Sequence, residues 1–203
     1  MLFVITLLSF IAETKEEYNA KWMKIFYHYS GSGDYFANNI EALNSNTSNK
    51  FSILNKLNEK YQVNGKYEFL LQYPEVSGFN RWKQSYLPYD DIEILGNKAI
   101  GYEPVSISWS ERKWGGLVRS NYPDRTTIDG SAGHSNWYYS IGTIKDEWWP
   151  KKIPGPAIDY DNPYYVERVS LWIRVDHLAG PTKSLKKTQF LINAISLYLA
   201  LND

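Results

Sequence analysis

Val166 to Val175, VERVSLWIRV, alternates polar and apolar residues with a period of two, the pattern of a strand with one face buried. Lys66 to Tyr73 (KYEFLLQY), stopped by Pro74, and Trp22 to Tyr29 (WMKIFYHY) read as strands as well. Ile100 to Trp109 (IGYEPVSISW) puts Val105, Ile107 and Trp109 on one side, and Gly78 to Gln84 is a further short aromatic segment. Turns such as Ser30 to Asp34 and the pair Asn64-Gly65 separate them. Two amphipathic stretches break the series. Tyr35 to Leu43 has Phe36, Ile40 and Leu43 at helical spacing, and Ser52 to Tyr61 has Ile53, Leu54 and Leu57 on one face. Short strands with two small helices near the front predict an α+β domain with an antiparallel β core.

The densest stretch is Trp114 to Gly142, WGGLVRSNYPDRTTIDGSAGHSNWYYSIG. Its glycines permit tight turns or close backbone approach, and its aromatics supply rigid contact area with polar tips. It is either the turned heart of the β core or a ligand-holding surface. As a surface, Trp114, Tyr138 and Trp148 would stack on sugar faces while Asp129, His134 and Asn136 meet hydroxyls. Strand alternation buries Trp137 and Tyr139 and exposes Tyr138, or the reverse. Asp159-Tyr160-Asp161-Asn162 sets oxygen ligands at alternate positions, so Asp159 and Asp161 are the candidate calcium ligands. No other cofactor is expected. His28, His134 and His177 are isolated and lack metal-ligand spacing. Asp129, His134 and Ser135 are triad residue types, but no G-x-S-x-G elbow accompanies them. Glu103 with Asp129 would be a carboxylate pair for a glycosidase. The chain is read as a non-enzyme.

At 203 residues the chain is long enough to bury one core unaided. Basic and acidic residues balance at 22 each, which argues against a nucleic-acid partner. Without cysteine, no disulfide framework or thiol nucleophile exists. Residues 1–12 contain an apolar run, LFVITLLSFIA, too short to span a bilayer and suited to a secretory signal cleaved near Ala12. Residues 18–176 form the single domain. Asn46-Thr47-Ser48, in a polar loop, matches the glycosylation sequon, with Asn46 as acceptor. Residues 177–203 comprise a basic spacer and an apolar run, FLINAISLYLAL. That run is a C-terminal helix on the domain, a membrane-surface or oligomer helix, or a cleaved lipid-anchor signal. Any membrane contact is expected through this tail alone, and oligomerisation is left open.

The ordered series WxxIFxHxSGSGxYF, FSIL, YEFLLQYPE, NRWKQS, GYEPVSISW, WGGL, TTIDGSAGHSNWYYSIG, IPGP and VERVSLWIRV covers Trp22 to Val175. It resembles an uncharacterised family of secreted domains of unicellular eukaryotes and some invertebrates. The resemblance implies an extracellular or surface module without catalysis. A fainter likeness is to fibrinogen C-terminal-like domains, in which a late loop carries calcium beside a sugar or acetyl pocket. This chain departs from them in lacking cysteine, and Asp124 and Asp129 do not reproduce their Asp-rich calcium run. The core is therefore expected to be β-sandwich-like or fibrinogen-C-like, with two short helices in the N-terminal third and a C-terminal helix. The expected function is a secreted or cell-surface module for protein interaction or structural assembly. A lectin-like carbohydrate-binding domain is the alternative, and a glycan-acting hydrolase comes third.

Overall fold

The period-two segments pair into sheets in the computed structural model, which describes residues 21–31, 33–90, 98–109, 114–121, 123, 125–130, 139–144 and 166–178. The strands described are β1 (Trp22–Tyr29), β2 (Ser45–Asn46), β3 (Lys50–Ser52), β4 (Tyr67–Gln72), β5 (Asn80–Gln84), β6 (Glu103–Ile107), β7 (Val118–Arg119), β8 (Thr126–Asp129), β9 (Ile141–Thr143) and β10 (Arg168–Arg174). Seven of them form one antiparallel sheet in the order β2-β3-β1-β10-β4-β5-β6, and β7-β8-β9 form a second. The fold is thus antiparallel and β-rich, with few helices. β10 comes late in the chain yet lies in the middle of the large sheet, between β1 and β4.

Register divides each strand into an inner and an outer half. The row Ser52, Phe26, Leu171, Leu71 and Asn80 is buried, as is the row Ile173, Phe69 and Trp82. β1 carries a bulge between Lys24 and Phe26, so the extra residue Ile25 turns inward and is fully buried. Between the two sheets an unbroken series of rings runs through the core. Tyr67, Phe69, Trp82, Trp114, Tyr139, Trp109 and Tyr73 follow one another at centroid distances of 5.9, 5.6, 4.8, 5.0, 6.3 and 5.4 Å. Trp114 meets Trp82 edge-on at 88° and Tyr139 at 76°, the arrangement that ring quadrupoles favour. Gly130 lets this packing close: a Cβ there would lie 2.8 Å from the Trp114 ring and 2.9 Å from Tyr139.

The first expected helix is present in part, as α1 (Asn39–Leu43). Asn38 caps it by accepting from the Glu41 amide at 3.0 Å, and Glu41 reaches back to the Ala37 amide at 2.6 Å. Its apolar face differs from the expected one. Phe36 is buried, but Ile40 is 81% exposed, because Asn39 turns the helix toward the second sheet. The Asn39 amide donates to the Pro123 carbonyl and its oxygen accepts from the Thr127 hydroxyl, both at 2.7 Å. The second expected helix, Ser52 to Tyr61, is instead two 3-10 turns, Leu54–Lys56 and Glu59–Tyr61. Ser52 and Asn58 accept from the amides two residues on, at 3.4 and 3.2 Å, and these local bonds compete with a continuous helix. Asn64-Gly65 forms the tight turn expected of it, both residues having positive φ, with Val63 and Lys66 exchanging backbone bonds. The expected C-terminal helix lies outside the described residues.

Candidate functional site

Of the residues read as ligand contacts, the structure describes Trp114 and Asp129. Trp114 is 7% exposed and packs both its neighbours in the ring series. Asp129 ends β8 at 5% exposure. Burial first, then Tyr139 and the Asp129 carboxylate, push the nearby Tyr73 hydroxyl well above the usual tyrosine range. Both candidates sit in the core and offer no face to a ligand. Tyr139 is buried too, as one of the two alternations requires. His134, Asn136, Tyr138 and Trp148, and the calcium candidates Asp159 and Asp161, lie outside the described residues. Among the described residues no three His, Asp or Glu side chains gather as a metal site. Glu103 stands on the exposed strand β6 while Asp129 is buried in β8, so the two do not share a cleft. Asn46 is exposed at the tip of the β2–β3 hairpin, which Thr47 closes by bonding Lys50.

What the sequence reading missed is the outer half of the alternation. β10 turns Val169, Leu171 and Ile173 inward, and so turns Arg168, Ser170, Trp172 and Arg174 outward. Cross-strand partners extend these into rows: Trp22 beside Arg174, Lys24 beside Trp172 beside Leu70 beside Arg81, and Tyr29 beside Arg168. Half-buried Trp22, Tyr27, Tyr29 and Trp172 therefore share one face with a set of cations. Lys24 lies 4.8 Å from the Trp172 ring and 5.4 Å from Tyr27, Arg81 5.4 Å from Trp22, and Arg168 4.7 Å from Tyr29. The visible signal was the residue type at the polar positions, where Arg and Trp stand in place of the Ser, Thr or Glu of an ordinary solvated face.

Charge fixes this face in place. Glu68, nearly buried, accepts from Arg81 Nε at 2.5 Å and from Arg174 at 3.0 Å, and Asp176 takes the other side of Arg174 through two bonds of 2.7 Å. The bonds to Asp176 and Glu68 outweigh partial burial and raise the guanidinium pKa of Arg174. At the rim, Glu103 receives Lys66 at 3.0 Å and Lys83 at 3.3 Å, which holds its carboxyl below the ordinary range. Lys24, Lys66, Arg81, Lys83, Arg168 and Arg174 thus stand against Glu68, Glu75, Glu103 and Asp176, a positive excess on a chain with no net charge.

Compared with family profiles, with curated proteins and with solved structures, the chain finds no match. Among the described residues no helix is long and apolar enough to cross a membrane.

Proposed function

We propose that this chain is a non-catalytic module, secreted or displayed at the cell surface, that docks an acidic protein partner on the outer face of its large sheet. One observation carries the reading: half-buried Trp22, Tyr27, Tyr29 and Trp172 are interleaved with Lys24, Arg81 and Arg168 on one sheet face. Trp, Tyr and Arg are the side chains that dominate binding energy at protein interfaces, and the positive excess selects an acidic surface. The described histidines support a non-catalytic role. His28 is buried against the Asp34 carbonyl, and His177 bonds the Lys60 carbonyl. The shared aromatic core of the two sheets favours a β-sandwich-like architecture over a fibrinogen-C-like one.

The test is capture of surface proteins from cells that express the chain, by wild type and by Lys24→Glu/Arg168→Glu, followed by affinity measurement on the captured partner. Both side chains are exposed, so the double variant keeps its fold. A loss of at least about tenfold, together with weakening of the wild type by salt, is expected. Equal affinity of the two proteins would overturn the reading. Carbohydrate binding is the second reading, favoured by the ring faces of Trp22 and Trp172. A glycan-array signal that is insensitive to salt and lost in Trp172→Ala would put it first.

A further inference from the structure

Toward β6 the outer face of the large sheet deepens into a cleft of about 420 Å³. Outward side chains of three strands form its floor: Glu68 of β4, Lys83 of β5 and Arg174 of β10. Glu68 faces Lys83 in register, and Arg174 reaches Glu68 at 3.0 Å. One wall is the tight turn from Val63 to Lys66, closed by its own backbone bonds of 2.8 and 3.2 Å. Another is the 3-10 turn Asp176–Leu178, which His177 fastens by bonding the Lys60 carbonyl at 3.1 Å. Floor and walls are therefore formed in advance of any partner, which lowers the ordering cost of binding.

Among the described residues three carboxylates line this cleft, and they are held differently. Glu68, 8% exposed, accepts from the guanidiniums of Arg81 and Arg174, and Asp176 takes two bonds from Arg174. Guanidinium–carboxylate pairs of this kind are fixed in geometry and hard to exchange. Glu103 is 47% exposed on β6, the outermost described strand of the sheet, where every residue from Glu103 to Ser106 is exposed. Its partners are two lysines: Lys66 meets Oε2 at 3.0 Å and Lys83 meets Oε1 at 3.3 Å. Each ammonium carries three N–H groups on a flexible stem and gives one of them to Glu103. Exposed ion pairs contribute little to stability and are weakened by salt. The two lysines thus already grip a carboxylate, through bonds that exchange easily.

We infer that Glu103 is a built-in competitor for docking: a carboxylate side chain of the acidic partner displaces it and takes its place between Lys66 and Lys83. The inference rests on the docking reading and deepens it by naming the seat. Charge decides the occupant, since two ammoniums set on the two oxygens of a carboxylate suit a second carboxylate and repel a cation. Until it is displaced, Glu103 opposes the incoming group by repulsion and by holding its donors. The competitor also selects, because a neutral or basic surface has nothing with which to replace it.

The test is a double-mutant cycle on the full chain, read as affinity for a fluorescently labelled hexaglutamate peptide by anisotropy up to about 1 mM. Glu103→Gln should bind the peptide at least about threefold more tightly than wild type, and Lys66→Gln/Lys83→Gln at least about threefold more weakly. In the lysine double variant, adding Glu103→Gln should give no gain, because no seat is left to clear. Glu75→Gln removes the same charge beside Arg168 and should gain less than Glu103→Gln. Thermal unfolding of each variant reports whether it is folded. The proposal is overturned by a Glu103→Gln variant no tighter than wild type, by a gain that persists without the lysines, or by an equal gain in Glu75→Gln. Absence of peptide binding in both wild type and Glu103→Gln overturns it too. Lys24→Glu/Arg168→Glu separates this inference from the docking reading. If that variant loses the captured partner while the cycle shows no coupling, docking stands and Glu103 is a structural ion pair only. If the cycle couples while that variant binds the captured partner as wild type does, the docking reading fails and the carboxylate seat stands.

Discussion

His28 is a buried imidazole in a crowded charged setting. It is fully enclosed, donates from Nε2 to the Asp34 carbonyl at 2.8 Å, and lies edge-on to Phe36 at 4.7 Å. Lys50 stands close by, bonded to Asp34 at 2.9 Å and Glu41 at 2.8 Å. Burial lowers the pKa of His28 from 6.5 to about 4, against the pull of Asp34 and Glu41 and helped by Lys50. Between these values the unfolded chain takes up a proton that the folded chain refuses. Stability is therefore fully present above pH 6.5 and declines as pH falls toward 4, by about 3 kcal/mol for a shift of this size. Asp34 and Glu41, both held below their ordinary range, add a further loss at lower pH as they protonate. Urea titrations at pH 7, 5.5 and 4 check this, with His28→Leu as the comparison. The variant should be weaker at pH 7 but flatter with pH; parallel curves would show that His28 does not govern the slope.

At the scale of elements, Gln84 makes four bonds from one buried side chain, and the two to Leu117 join β5 to the segment leading into β7. Gln84→Leu fills similar volume but orphans the Trp82 indole N–H and both backbone groups of Leu117. A destabilisation of about 3 kcal/mol is expected by denaturant titration. Gln62→Leu removes only one 3.3 Å bond to the Ser85 carbonyl and should cost under about 1 kcal/mol. Equal effects would mean that Gln84 is not a joint. Neither its role nor that of Asn80, which accepts from the Ser108 and Trp109 amides, has a local pattern to announce it, because the partners are distant in sequence. The strands were legible for the opposite reason: β1, β4 and β10 carry their signal within a few residues. Periodicity predicts a second helix that does not form, because Ser52 and Asn58 bond locally, a competition that periodicity ignores. Trp114 and Asp129 are chemistry-bearing residue types, yet tertiary packing places them in the core. The outer face of β10 was legible as alternation. Its function as a face was not, since the rows Lys24–Trp172–Leu70–Arg81 exist only after pairing.

At the scale of the molecule, the two sheets are held together mainly through aromatic rings. The ring series crosses from Trp82 on β5 through Trp114 to Tyr139, which leads into β9. Leu117, just ahead of β7, and Ile128 and Ile141 of the small sheet belong to the same core, and α1 adds the polar tie from Asn39 to Thr127. The large sheet has its own closure, since β10 pairs with β1 along seven residue positions and with β4 along four. Removing the crossing ring should therefore loosen the small sheet first. Trp114→Ala deletes a buried indole between two rings, and the loss expected from such a cavity is about 4 kcal/mol. Native-state hydrogen exchange locates that loss. Amides of β8 and β9 should exchange faster by a large factor, while those of β1, β4 and β10 stay protected until the whole chain unfolds. Trp114→Phe keeps an edge-on ring and should recover most of the protection. Uniform acceleration across both sheets in Trp114→Ala would instead show one indivisible unit, in which the small sheet never opens alone. An unchanged exchange pattern would remove Trp114 from the core altogether and return it to the list of exposed ligand contacts.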